Sequence, residues 1–185
     1  MSCTIKKICE IANVSSGLYL QTIPDGEVAY LQVKDYSHQE PVKTAFKVAA
    51  TKRTSANLLR KGDVLFAGKG ASYLSAVFDE DIPAVASTSL FVIRITSAAI
   101  CPEYLCWFLR QRQTQSYFKT FQTCTVTPLI RKSDIEELEV VVPEMNVQDK
   151  VVKTALLAER AYQLRIEIAQ KEQFKAEQLI MQLIN

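Results

Sequence analysis

The chain has 185 residues, a net charge of +2, and the 48% hydrophobic and 23% charged composition of a globular protein with a real core. Its longest apolar runs, such as Leu90-Phe91-Val92-Ile93, fall far short of the roughly 20 residues that cross a bilayer, and Met1 to Ile11 has no signal-peptide pattern, so a cytoplasmic protein is expected. Five cysteines without a C-x-x-C spacing, and the single His38, argue against a disulfide framework or a zinc site; buried free thiols are expected.

In chain order, Pro24-Asp25-Gly26 is a turn that introduces a strand over Val28 to Val33, rich in β-branched and aromatic residues. Lys61-Gly62-Asp63 is a second turn, leading into a short buried strand at Val64 to Ala67. Further strands are expected at Ala76 to Phe78 and Leu90 to Ile95. Pro102 suits a first helical position, and Tyr104, Leu105, Phe108 and Leu109 form one apolar stripe, which predicts a helix from Pro102 to about Phe121. Its aromatics, with Trp107 and Phe118, read as core. Ser133-Asp134-Ile135-Glu136 has capping-box spacing and opens a short helix before a strand at Glu139 to Val142.

The character changes at Pro143. Beyond it there is neither proline nor glycine, Asn146 stands as an N-cap with Asp149 three residues on, and about forty residues make a helix roughly 60 Å long. Val152, Ala155, Tyr162, Ile166, Ala169, Ile180 and Leu183 lie on one heptad seam, interrupted by the polar Glu159 and Gln173. Such a helix needs a partner helix, because helical propensity alone is marginal. The expected fold is α+β: a globular domain over residues 1–143, with a twisted short-stranded sheet and packed helices, followed by one long coiled-coil helix over 144–185.

Charge is distributed unevenly. No acid falls between Glu40 and Asp63, where Lys43, Lys47, Lys52, Arg53, Arg60 and Lys61 stand. None falls between Glu103 and Asp134, where Arg110, Arg112, Lys119, Arg131 and Lys132 stand. Two basic stretches on one face suit phosphates, and scattered over the surface they are ordinary solvated charge. Catalytic signatures are missing. Gly68-Lys69-Gly70-Ala71-Ser72 lacks the phosphate-loop spacing, Asp79-Glu80-Asp81 reads as a solvated loop, and Ser87 and Ser89 come without a G-x-S-x-G. No catalytic residue, metal or cofactor is expected.

Several segments, in order, resemble the specificity subunits of type I restriction–modification enzymes. Lys6-Lys7-Ile8-Cys9-Glu10-Ile11-Ala12 with Ser16-Gly17 is similar to the family's opening, and Tyr30 to Asp35 to the strand that follows. Leu59-Arg60-Lys61-Gly62-Asp63-Val64-Leu65-Phe66 resembles its G-D hallmark. Ser89 to Arg94 followed by Pro102-Glu103-Tyr104-Leu105, and Val141-Val142-Pro143 with Gln148 and Val151-Val152, complete the series. A full family member carries two recognition domains and two long helices, whereas this chain holds one of each. A single Pro143 stands where two prolines are common, and Cys124 occupies a loop that often carries glycine.

The resemblance implies a non-catalytic subunit that binds double-stranded DNA and directs an adenine methyltransferase subunit, with a restriction subunit as a further partner, to a bipartite site. It implies a homodimer through the long helix, whose strands run antiparallel. Donor-rich predicted loops supply the expected DNA contacts: Lys52, Arg53, Ser55 and Asn57; Lys69, Ser72 and Tyr73; Gln122, Thr123, Thr125 and Arg131. The alternative is a coiled-coil adaptor whose globular head binds protein, which would suit the modest net charge.

Overall fold

The computed structural model describes residues 3–37, 40–68, 74–120 and 130–184. By internal contacts the chain divides into two units, residues 1–148 and 149–185. The first is α+β, built from nine described strands. These are β1 (Thr4–Lys7), β2 (Ala12–Ser16), β3 (Val28–Leu31), β4 (Phe46–Val48), β5 (Val64–Ala67), β6 (Ser75–Val77), β7 (Ala84–Ala86), β8 (Leu90–Ile95) and β9 (Glu139–Val142). Between them lie the helices α1 (Ile8–Ile11), α2 (Pro41–Thr44), α3 (Lys52–Ala56), α4 (Pro102–Leu109), α5 (Arg112–Thr120) and α6 (Lys132–Glu136), with a 3-10 turn at Val33–Ser37. The helix α7 runs from Met145 to Ile184.

Three small sheets make the scaffold. The largest has the order β2-β8-β5-β6 and is antiparallel throughout. The second has the order β4-β3-β7, with β3 and β7 parallel. The third pairs β1 with β9 in antiparallel register, Thr4 opposite Val142 and Lys7 opposite Glu139, so the start of the unit is fastened to its last strand. All four residues of β3 are buried because the strand has apolar matter on both faces. Ala29 and Leu31 enter one cluster with Leu65, Phe78 and Leu90, while Val28 and Tyr30 enter another with Val48 and Val85. Alternation of side chains along a strand produces that split.

The turn before β5 explains the Gly62-Asp63 pair. Gly62 has φ +85°, a conformation that disfavours any residue with a Cβ. Asp63 is 2% exposed, and its carboxylate accepts from the Arg60 N–H at 2.8 Å and from the Arg94 guanidinium at 2.8 and 2.6 Å. Arg94 also donates to the Leu58 carbonyl at 3.1 Å, and the neighbouring carboxylate raises its pKa. Asp35 works similarly: buried, it accepts from the Gln32 N–H at 2.7 Å and closes the 3-10 turn.

Several expectations need correction. The helix expected from Pro102 to Phe121 is two helices, broken at Arg110-Gln111. Thr114 and Phe118 would fall about 140° and 180° from Leu109 on a straight helix, so burying both sets requires a change of direction. The break is held by Arg110, which donates to the Ser75 carbonyl at 3.0 and 2.6 Å, and by the Gln111 amide, which donates to the Trp107 carbonyl at 2.8 Å. Phe118 is fully buried against Phe66, whereas Trp107 and Phe108 are half-buried and Phe121 lies outside the described residues. The short helix α6 is capped two residues before Ser133: the Asp134 carboxylate accepts from the Arg131 N–H at 2.8 Å. Asn146 lies inside the first turn of α7, whose opening bond runs from the Gln148 N–H to the Glu144 carbonyl. Cys106 is buried, but Cys3 and Cys9 are exposed and Cys101 is half-buried; Cys124 and His38 lie outside the described residues. The short strands β1, β2, β4 and β7 lacked a distinctive pattern in the sequence.

In the second unit the helix continues to Ile184. Its seam residues Val152, Ala155 and Ile166 are half-buried, while Tyr162, Ala169 and Ile180 are exposed. A second apolar row, Leu157, Ala161, Leu164 and Ile168, lies about 150° around the helix from that seam and is exposed throughout. Among the described residues no helix is long and apolar enough to cross a membrane.

Candidate nucleic-acid interface

The first set of predicted contacts, expected in a loop, lies instead on the short capped helix α3 and its end at Asn57. Thr51 caps it: its hydroxyl accepts from the Thr54 N–H at 3.2 Å, and the Thr54 hydroxyl accepts from the Thr51 N–H at 2.6 Å. Thr54 is buried and also donates to the Ala49 carbonyl at 3.2 Å, which pins one side of the turn to the core. Lys52, Arg53, Ser55 and Asn57 are thereby left exposed. The Asn57 amide donates to the Arg53 carbonyl at 2.8 Å, closing the helix end. Asn57 also lines a cleft of about 50 Å3 with Ser16, Gly17 and Arg94. Gly17 is required there, since a Cβ would stand 2.1 Å from the Ser87 carbonyl oxygen.

The second and third predicted sets fall mostly on residues outside the description: Lys69, Ser72 and Tyr73, then Gln122, Thr123 and Thr125. Their flanks are described and come together. Ile130 donates its N–H to the Gly68 carbonyl at 3.0 Å, and Ala67 donates to the Leu74 carbonyl at 2.8 Å. Gly68, Leu74 and Ile130, three of the four flanking residues, therefore lie together on the scaffold. Arg131, next to Ile130, is exposed. The sequence separation of these segments hid that convergence.

Several basic residues are engaged elsewhere. Lys43 pairs with Glu40, Lys61 with Asp81 at 3.0 Å, and Lys132 with Glu136 at 3.3 Å. Arg110 is committed to Ser75. Lys47, Arg60, Arg112 and Lys119 are exposed. Asp79, Glu80 and Asp81 are exposed as well, and among the described residues no cluster of three or more His, Cys, Asp or Glu could hold a metal ion.

Sequence reasoning missed a groove between these two regions. It has a volume of about 430 Å3 and is lined by Tyr19, Gln21, Thr22, Gln32, Thr88 and Ser89, among others. Its walls are braced by backbone: Leu18 donates to the Ala86 carbonyl at 2.8 Å, and Ser87 donates to the Leu31 carbonyl at 2.8 Å. The Tyr30 hydroxyl donates to the Leu18 carbonyl at 2.8 Å, and the Ser87 and Ser89 hydroxyls lie 2.7 Å apart. None of the described lining residues is charged. The groove abuts the common root of the second and third sets, because the Gly68 N–H donates to the Ser89 carbonyl at 3.2 Å. Through Leu18 it adjoins the cleft that Asn57 lines. Its polar residues come from three distant stretches of chain, so no local pattern announces it.

The chain thus combines an α+β globular unit with a long helix that follows it in sequence. The family described as type I restriction modification DNA specificity domain matches residues 1–157, and the chain belongs to that family. Solved structures agree in fold. A chain in a type I R-M system, studied for its complex assembly and conformational transition, has a TM-score of 0.69 at 16% identity, covering 92% of this chain and 42% of that one. The type I restriction-modification S subunit from M. genitalium has a TM-score of 0.57 at 19% identity, covering 92% and 43%. The HsdS subunit from Thermoanaerobacter tengcongensis has a TM-score of 0.60 at 15% identity, covering 86% and 38%. This chain spans about two fifths of the length of these structures. No curated protein matches the sequence.

Proposed function

We propose that the protein reads double-stranded DNA as a specificity subunit of a type I restriction–modification system and performs no catalysis itself. The observation that carries this reading is the family match over residues 1–157. The globular unit reads one half-site. Lys52 and Arg53 meet phosphates, Ser55 and Asn57 flank them, and the segments with Lys69, Ser72 and Tyr73 and with Gln122, Thr123, Thr125 and Arg131 reach the bases. In this reading a second copy supplies the other half-site, since two-fold symmetry of the protein matches a two-fold symmetric site.

In that assembly the seam of Val152, Ala155, Tyr162, Ile166, Ala169, Ile180 and Leu183 pairs antiparallel with its copy and sets the spacing of the half-sites. The opposite row, Leu157, Ala161, Leu164 and Ile168, is then free for a helix of the adenine methyltransferase subunit, and a restriction subunit joins the resulting complex. Affinity purification of the full-length protein from its own cells, with mass spectrometry of what accompanies it, tests the assembly. Recovery of a DNA adenine methyltransferase is expected. Recovery of unrelated partners without one would favour a coiled-coil adaptor whose head binds protein.

A further inference from the structure

The groove of Tyr19, Gln21, Thr22, Gln32, Thr88 and Ser89 has chemistry that the contact sets above do not use. Small-molecule sites enclose their ligands, whereas this groove is open and its walls combine amides, hydroxyls and phenol rings with the aliphatic Leu20. It is concave, so it does not fit into a groove of a duplex. A concave surface fits the convex ridge of one sugar–phosphate strand. Phosphate and sugar oxygens are contacted by Ser, Thr, Gln and Tyr side chains and by backbone N–H groups, as well as by Lys and Arg. The lining offers such donors in the exposed Gln21, Thr22 and Thr88, and its absence of charge means that no described carboxylate repels a phosphate there. The groove lies between α3, by way of the Asn57 cleft, and the common root at Gly68 and Ile130.

We infer that this groove seats the sugar–phosphate ridge of one DNA strand through uncharged donors, fixing the register of the duplex beside α3. The inference rests on the DNA-reading proposal and goes beyond it by assigning a neutral backbone seat, one that positions the duplex without reading bases.

The test measures duplex affinity of the full chain, in complex with its methyltransferase, across a range of salt concentrations and on both selected and scrambled sites. Gln21→Ala and Thr88→Ala lie on exposed positions, and thermal unfolding of each checks that the fold is kept. Neutral contacts release no counterion, so each variant is expected to weaken binding about three- to tenfold on every sequence, with the salt dependence unchanged. Gln21→Glu, which sets a carboxylate against the ridge at constant shape, is expected to weaken it more than tenfold. Lys52→Ala serves as contrast, since loss of a phosphate-bound lysine lowers the salt slope by about one. Affinity unchanged in the folded Gln21→Glu variant overturns the seat. Relaxed preference at one base position, with scrambled sites unaffected, overturns it in favour of base reading. If the unaltered complex binds no duplex at all, the DNA-reading proposal falls and the seat with it.

Discussion

Gln148 shows how much a single polar side chain organises here. It is fully buried, yet its amide donates to the carbonyls of Ala99 and Pro143 at 2.8 Å each, and its oxygen accepts from the Cys101 N–H at 3.0 Å. One residue therefore ties the start of α7 to the loop that launches α4. Gln148→Leu leaves an N–H and two carbonyls without these partners, and we predict a loss of about 2–4 kcal/mol in urea unfolding. Asp63 and Arg94 do the same at the turn before β5. Both Gln148 and Asp63 stood out in the sequence through family resemblance, but their partners did not. A side chain's reach across 31 or 47 residues, as from Asp63 to Arg94 or from Cys101 to Gln148, is set by the fold.

Among the elements, the strands at Val64–Ala67, Leu90–Ile95 and Glu139–Val142 and the long helix were legible because their apolar patterns are dense. The kink between α4 and α5 was not, since neither glycine nor proline marks it; the cause is the burial of Phe118 under Phe66. Strands of three or four residues such as β4 and β7 carry too few side chains for a period to show. At this scale the two apolar rows of α7 make separable predictions. Ile166→Asp on the seam is expected to turn a dimer into a monomer by light scattering. Leu164→Asp on the opposite row is expected to leave the dimer intact and abolish methyltransferase binding in a pull-down. Loss of both associations from either single variant would mean that one face serves both.

For the whole molecule, net charge is a poor guide to suitability for DNA, because it does not separate Lys43, Lys61, Lys132 and Arg110, which are engaged by neighbouring carboxylates or a backbone carbonyl, from the exposed Lys52 and Arg53. What favours DNA is arrangement. A capped helix with exposed Lys52 and Arg53, a neutral groove, and a single root for two further segments belong to one globular unit. Of this, the basic and polar residues Lys52, Arg53, Ser55 and Asn57 could be anticipated from composition, but as a loop and not as the helix α3, while the groove and the shared root required the fold.

The most direct measurement of the central claim is selection from a pool of random duplexes by the complex of the full chain with its methyltransferase, followed by sequencing. Enrichment of a bipartite, two-fold symmetric site with a fixed non-specific spacer is expected, the pattern that a homodimer with a helical spacer imposes. A pool that remains random after selection, from a complex shown to be intact, would contradict it.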